Sequence, residues 1–166
     1  MEQVHLAQID RWLAEHRPDY YSLLNPPAQE YLFGAVRSTA GIVLPDSIRR
    51  FYELHDGQEA GTFEPLMMNL TFMTLMEMAT THQMHQHVSM IDQWSEEHWQ
   101  PSWVPFLSNG GGDYLCVATE TFRDIPEGAI LWYDHETSER EIIHADFTAF
   151  LEDLYDRMIS DRLECE

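Results

Sequence analysis

The stretch Trp103–Val117, WVPFLSNGGGDYLCV, places two apolar runs on either side of the strongest glycine cluster in the chain. Both runs are rich in the aromatic and β-branched residues that favour strands. Between them, Ser108–Asp113 supplies glycine and small polar residues that tolerate the positive φ angles of a tight turn. The stretch therefore predicts a bent β-hairpin, with Trp103 in the core, Gly112 in the turn and Asp113 as a carboxylate that caps turn amides.

A glycine cluster also raises the alternative of a phosphate-binding loop. Such a loop leads into the N-terminus of a helix and carries a lysine followed by serine or threonine. Here Gly110–Gly112 is followed by Asp113 and by an apolar run typical of a strand. The turn of a hairpin is the favoured interpretation.

The length of 166 residues fits one domain, which at that size buries about 70% of its unfolded surface without disulfides or a metal. We expect a single domain over residues 1–166. No basic N-terminal segment precedes an apolar run, and no apolar run is long enough to span a bilayer, which predicts a soluble protein of the cytoplasm without a membrane partner. The two cysteines, Cys116 and Cys165, are expected to be free thiols.

Charge is the most unusual property of the chain. The formal net charge is -20 at pH 7, from 29 acidic and nine basic residues, and every basic residue is an arginine. The segment from Phe51 to Phe122 has no lysine or arginine. Its carboxylates are those of Glu53, Asp56, Glu59, Glu64, Glu77, Asp92, Glu96, Glu97, Asp113 and Glu120.

This charge excludes direct nucleic-acid binding, which requires cationic side chains to replace the counterions of phosphate. Two interpretations remain open. The negative charge keeps the protein soluble without any partner, or it presents an acidic face that speeds association with a basic protein.

The periodicity of apolar residues predicts several helices. The expected helices are Glu2–His16, a second from an N-cap at Asn25 to about Ser38, a third opened by Leu44-Pro45-Asp46 and closed at Gly57, a fourth from Thr74 to Met90, and a last one starting at Asp146. Strands are expected within Pro65–Phe72, at Ala129–Tyr133 and at Arg140–His144, the last two joined by a turn at Asp134–Glu139.

The fourth helix carries histidines whose spacing raises a metal-site alternative. His82 and His85 share one helical face, with His87 nearby in sequence and His98 able to approach. No cysteine or acidic residue at a recognised ligand spacing accompanies them, and histidines on an exposed helix face are common. We expect no metal and no cofactor, although the spacing leaves the metal-binding alternative open.

An enzyme is a further alternative, with Asp113 and His144 or Asp134 and His135 as candidate pairs. The sequence contains no G-x-S-x-G, no H-E-x-x-H, no P-loop and no cysteine–histidine pattern. The favoured interpretation is therefore a protein without catalytic residues, a hydrolase being the less favoured one.

In order along the chain, these features resemble the SUKH superfamily, the Smi/Knr type of domain. The matching motifs are Gly41-Ile42-Val43-Leu44-Pro45, Phe51-Tyr52-Glu53-Leu54-His55-Asp56-Gly57, Trp103-Val104-Pro105-Phe106, Gly111-Gly112-Asp113 and Asp146-Phe147. The resemblance covers residues 28–159, while residues 1–25 form an added N-terminal helix and connector. One departure is Arg37, where the family often has a glutamate.

The resemblance implies an α+β fold in which helices wrap a mixed, mostly antiparallel sheet. It implies structural roles for Leu44, Pro45, Asp56, Gly57, Trp103, Gly112 and Asp113, and no catalytic set. It also implies a bacterial immunity protein that binds and neutralises a toxin, many such toxins being nucleases; a regulatory or scaffold domain that binds a cellular protein is the alternative. For a basic toxin domain, the expected contact surface is Glu96, Glu97, Asp113, Asp134 and Glu136.

Overall fold

The computed structural model describes residues 2–164, with side chains described from His5 onward. The helices are α1 (Glu2–His16), α2 (Pro18–Tyr21), α3 (Glu30–Ala40), α4 (Asp46–Leu54), α5 (Leu75–Ile91) and α6 (Phe147–Ile159). The strands are β1 (Thr71–Phe72), β2 (Trp103–Ser108), β3 (Tyr114–Ala118), β4 (Ile130–Tyr133) and β5 (Arg140–His144). This confirms the α+β fold class. Within the described residues, no helix combines the length and the apolar character needed to cross a lipid bilayer.

The five strands form one sheet in the order β1-β2-β3-β4-β5, and every neighbouring pair is antiparallel. The hairpin predicted from WVPFLSNGGGDYLCV is confirmed as β2 and β3. Its bend is a register shift between Pro105 and Leu107. The shift leaves Phe106 without a partner in β3, and Pro105, which has no N–H for the ladder, lies directly beside this bulge.

Both faces of the sheet are covered. On one face, the inward residues of β2, β3 and β4 pack with the apolar sides of α1, α3, α4, α5 and α6 in the main core. On the other face, Trp103, Tyr114, Cys116 and Tyr133 pack with Trp99 in a second core. Trp103 is fully buried there, as the sequence predicts.

Local signals at helix ends explain the bounds of α5 and α6. The Thr74 hydroxyl accepts a hydrogen bond from the Glu77 amide at 3.1 Å, and the Glu77 carboxylate accepts one from the Thr74 amide at 2.8 Å. This reciprocal arrangement is a capping box, and it satisfies amides that have no partner inside the helix. At α6, the Asp146 carboxylate accepts a hydrogen bond from the Ala149 amide at 2.8 Å.

Four of the structural signature residues, Leu44, Pro45, Asp56 and Gly57, lie around α4 and the start of α5. Leu44 is half-buried against the main core, and Pro45 immediately precedes α4, as predicted. The Asp56 carboxylate accepts a hydrogen bond from the Leu75 amide at 2.8 Å. Burial raises the pKa of the Asp56 carboxyl above its usual range, and that bond opposes the rise.

Two predicted helix ends are wrong. Asn25 does not cap α3, because the residues after it run extended through both prolines and the helix starts at Glu30. The side-chain Nδ2 of Asn25 instead donates to the Asp56 carbonyl at 2.9 Å. Gly57 has the expected left-handed φ of 64°, but α4 ends earlier, at Leu54.

Candidate functional site

The turn between β2 and β3 is held by Asn109. The Asn109 side-chain oxygen accepts hydrogen bonds from the amides of Gly111 at 2.8 Å and Asp113 at 3.1 Å. The prediction that Asp113 caps the amides of this turn is therefore wrong, since asparagine is equally suited to that role and occupies the first position of the turn.

The Asp113 carboxylate instead joins two hairpin turns. Its Oδ1 accepts hydrogen bonds from the His135 amide at 3.0 Å and from the His135 Nδ1 at 2.8 Å. Its Oδ2 accepts one from the Asn109 amide group at 2.8 Å. Gly112, at φ 107°, allows this approach, because a Cβ there would lie 3.2 Å from the His135 ring.

The Asp113–His135 contact alters the acidity of both groups. The hydrogen bond to Asp113 raises the pKa of His135 above its ordinary value, although desolvation opposes it. Partial burial alone would raise the pKa of Asp113, but the hydrogen bonds from His135 and Asn109 hold that pKa below its usual range. A charged pair is thus favoured in mildly acidic solution.

Arg140 connects the turn at 134–139 with the segment before β2. Its Nη1 donates to the carbonyls of Asp134 at 3.2 Å, Thr137 at 2.9 Å and Glu139 at 2.6 Å. Its Nη2 donates to the His98 carbonyl at 2.5 Å. The guanidinium lies 4.3 Å from the centre of the Tyr133 ring, so it faces the protein and is half-buried.

These links place the predicted partner-binding residues on neighbouring loops, which we call the turn surface: Glu96, Glu97, Asp113, Asp134 and Glu136. The carboxylates of the turn surface differ in their partners. Glu97 forms an ion pair with Arg123, whose guanidinium also lies 3.7 Å from Glu96. An Asp134 oxygen accepts from the Glu136 amide at 2.8 Å.

Three carboxylates at and after the turn between β4 and β5 have no cationic partner in the part of the chain that the structure describes. Glu136, Glu139 and Glu141 are exposed, and among the described residues no arginine or histidine nitrogen lies within ion-pair distance of them. Sequence reasoning named Glu136 but missed Glu139 and Glu141. No signal in the sequence singles them out, because the partners of each carboxylate depend on which turns the fold brings together.

Two of the three histidines of α5 are buried, contrary to the sequence-based interpretation that they lie on an exposed face. His82 and His85 are 3% and 6% exposed, whereas His87 is exposed. His82 Nε2 donates to the Pro101 carbonyl at 2.7 Å, and His85 Nδ1 donates to the Thr81 carbonyl at 3.0 Å. Burial lowers the pKa of both imidazoles.

Aromatic rings surround these two imidazoles. The His85 ring centre lies 4.8 Å from that of Trp99 and 5.3 Å from that of Tyr133. The histidines therefore act as packed, hydrogen-bonded core groups. Their location could not be read from spacing, because the covering element is the loop that contains Trp99.

Among the described residues, one group of three side chains has the spacing of possible metal ligands: Asp113, Asp134 and His135, with ligand atoms within 4.8 Å of one another. The hydrogen bonds above already use Asp113 Oδ1, His135 Nδ1 and one Asp134 oxygen. They account for the arrangement without an ion. The pairing of Asp134 with His135 as a catalytic pair is not observed, because His135 binds Asp113.

The other candidate catalytic pair lines one groove of about 470 Å³ without forming a dyad. Asp113 is bonded to His135, and His144 Nε2 lies 3.7 Å from Asp153. Burial lowers the pKa of His144. Among the residues that the structure describes, the lining of the groove has no serine, threonine, cysteine or lysine, so these residues offer no hydroxyl, thiol or amine nucleophile for a neighbouring base to activate.

Comparison with known proteins gives two matches. The model of the SMI1 / KNR4 family (SUKH-1) matches residues 9–153, from within α1 into α6. A protein described as a KNR4/SMI1 homolog from Kluyveromyces lactis is 35% identical over 51 residues, which are 31% of this chain and 10% of that protein. The chain thus aligns with a small part of this much longer relative. Because the family model spans most of the chain, the protein belongs to the SMI1 / KNR4 family (SUKH-1).

Proposed function

We propose that the protein is a non-enzymatic immunity protein that neutralises a basic toxin domain. It would cover that domain with the exposed carboxylates at and after the turn between β4 and β5. The observation that carries this proposal is a group of unpaired carboxylates that lie close together in sequence at one edge of the sheet. Arg17, Arg49, Arg123 and Arg162 form ion pairs with the chain's own carboxylates. Glu136, Glu139 and Glu141 keep their charge unpaired on one edge.

A basic partner gains from this arrangement in two ways. Unpaired carboxylates at the rim raise the association rate by electrostatic steering, and any pair that becomes desolvated adds to specificity. A toxin that holds nucleic acid needs a cationic surface for phosphate. An acidic inhibitor can compete for that same surface.

The test is binding and protection with the product of an adjacent gene that encodes a basic toxin domain. We expect a stoichiometric complex on co-purification and survival of cells that express both proteins. We expect the association rate to fall by about tenfold or more when salt is raised from about 20 mM to about 500 mM. An association rate that does not change with salt concentration would contradict electrostatic steering by these carboxylates.

A matched pair of variants locates the surface. Glu136→Lys with Glu139→Lys should slow association by about tenfold or more. Glu15→Lys with Glu59→Lys makes the same change in net charge at exposed positions on other parts of the chain, and should slow it much less. Equal effects of the two pairs would place the contact elsewhere.

A regulatory domain that binds a cellular protein is the second candidate. It is favoured by one observation, the match to a small part of a much longer fungal protein. The gene-neighbour experiment separates the two candidates, because a regulatory domain confers no protection against an adjacent toxin.

A further inference from the structure

β5 is an open edge of the sheet. It pairs with β4 on one side, and no strand of the described chain lies on its other side. The opposite edge strand, β1, has only two residues, and one of them is buried. An unpaired edge presents a row of backbone N–H and C=O groups to which another strand can bond.

The side chains of β5 do little to prevent such pairing. Ile142 and Ile143 are each 40% exposed, and β5 contains neither lysine nor proline, the residues that commonly protect edges. The protective feature that is present is a register shift opposite Ile130 and Leu131, which leaves Ile143 without a partner in β4. The straight part of the edge is thus Arg140–Ile142.

A groove reaches this edge across one face of the sheet. It has a volume of about 470 Å³ and includes Leu115 of β3, Trp132 of β4, and Glu141 and Ile143 of β5 in its lining. Successive side chains of a strand point to opposite faces. Every second side chain of a strand added to β5 would therefore point toward this groove.

Charge decides which strand fits. Glu139 and Glu141 are exposed at the edge, whereas the Arg140 guanidinium is turned onto carbonyls of the turn and onto the Tyr133 ring. Burial lowers the pKa of His144, which leaves that side chain neutral at pH 7. A second copy of this chain would bring like charges together, while a basic strand would bring opposite ones.

We propose that β5 is the docking edge for an extended, basic segment of the partner protein, which adds a sixth strand to the sheet. The segment alternates arginine or lysine with apolar residues, so that the cations point to the groove face, where Glu141 lies and Glu139 precedes it by two residues, while the apolar ones lie beside Ile142 on the opposite face. The basic character of the partner rests on the proposed function; the pairing mode rests on the geometry of the edge. Main-chain hydrogen bonds supply affinity, and the groove supplies selectivity.

The experiment uses a short synthetic peptide of alternating arginine and valine, with amide hydrogen exchange of the full-length protein followed by NMR. Amides of β5 that exchange fast in the free protein should slow by about tenfold or more at saturating peptide. The same peptide with N-methyl groups on alternate residues keeps its charge but loses the backbone N–H groups that would bond to β5. It should give no protection. Peptide binding that leaves all β5 amides unprotected would overturn the proposal.

A protein variant gives an independent readout. Ile142→Lys adds a cation to the edge and should weaken peptide binding by about tenfold. Val43→Lys, at another exposed apolar position before α4, makes the same chemical change and serves as the control. Equal binding of the peptide by both variants would contradict docking on β5, as would protection of β5 by self-association before any peptide is added.

The outcomes separate this inference from the proposed function. If a toxin complex forms but leaves β5 unprotected, the docking mode fails while immunity stands. If the peptide protects β5 but the adjacent gene product does not bind, the immunity role fails while the edge remains a strand-docking surface.

Discussion

Gly57 lies where the chain after α4 passes against the backbone that leads into α5. Its φ is 64°, and an added Cβ would lie 2.5 Å from the Met73 carbonyl carbon and the Thr74 nitrogen. Gly61 has a similar φ of 81° with nothing within 4 Å of an added Cβ. Comparing the same substitution at both glycines therefore distinguishes the cost of a left-handed backbone from the cost of a steric clash.

We predict that Gly57→Ala destabilises the protein more than Gly61→Ala. A left-handed alanine costs about 1 to 2 kcal/mol, whereas displaced backbone at Gly57 should bring the loss to about 3 kcal/mol or more. Urea unfolding of the two variants measures the difference. Equal midpoints would show that the backbone near Met73 moves at little cost.

The Asp113–His135 pair predicts a pH dependence. The pKa of His135 in the folded protein lies above 6.5, so its ionic contribution to stability is full below 6.5 and is lost as the pH rises through that folded pKa. The pKa of Asp113 lies below 3.8, so its contribution is present above 3.8 and is lost as the pH falls through the folded value.

Replacement of Asp113 by asparagine should therefore move the pKa of His135 down toward 6.5, as followed by the imidazole proton shifts in NMR. The stability difference between the two proteins should be largest between pH 3.8 and 6.5 and should narrow above the His135 pKa. The pKa of His144 is shifted by burial and by charges other than that of Asp113, so His144 should titrate the same in both. An unchanged His135 would contradict the contact.

At the scale of elements, the caps of the helices differ enough to be tested against one another. Thr74→Ala removes half of the capping box of α5 and should cost about 1 kcal/mol. Gln29→Ala at the start of α3 should cost almost nothing, because Gln29 makes no side-chain cap bond. Chemical denaturation measures both, and equal losses would mean that the cap contributes nothing specific.

The elements that the sequence predicts well have their signals close together in the chain. The β2–β3 hairpin, the Thr74 start of α5 and the Asp146 start of α6 each depend on residues within a single turn. Asn25 fails as a helix cap because the chain after it stays extended until Glu30, and its side-chain Nδ2 bonds to the Asp56 carbonyl, which is distant in the sequence. Likewise, the strand expected within Pro65–Phe72 shrinks to the two residues of β1 that reach β2.

The candidate site was likewise predictable only where its contacts are local in the sequence. Sequence reasoning named Asp113, Asp134 and Glu136 as acidic turn residues, but it could not pair Asp113 with His135, which lies one hairpin away. Nor could it show that Arg123 neutralises Glu97. Non-local partners decide which carboxylates remain unpaired, and these appear only when the turns are placed together.

At the scale of the whole molecule, surplus negative charge should make stability depend on salt. At -20 the compact state repels itself, and added ions screen that repulsion. We predict that the melting temperature at pH 7 rises when sodium chloride is raised from about 20 mM to about 300 mM. The rise should shrink near pH 4.5, the sequence pI; a fall at pH 7 would contradict the prediction.

Cys116 sits in the middle strand of the sheet with 0% of its surface exposed, and burial raises the pKa of its thiol. An alkylating reagent thus meets a reactive thiolate there only after the strands separate and water enters. With Cys165 changed to serine, the rate of alkylation would count how often the centre of the molecule opens. Alkylation of Cys116 would therefore report the opening of the sheet, and a partner strand bound at β5 should slow that alkylation.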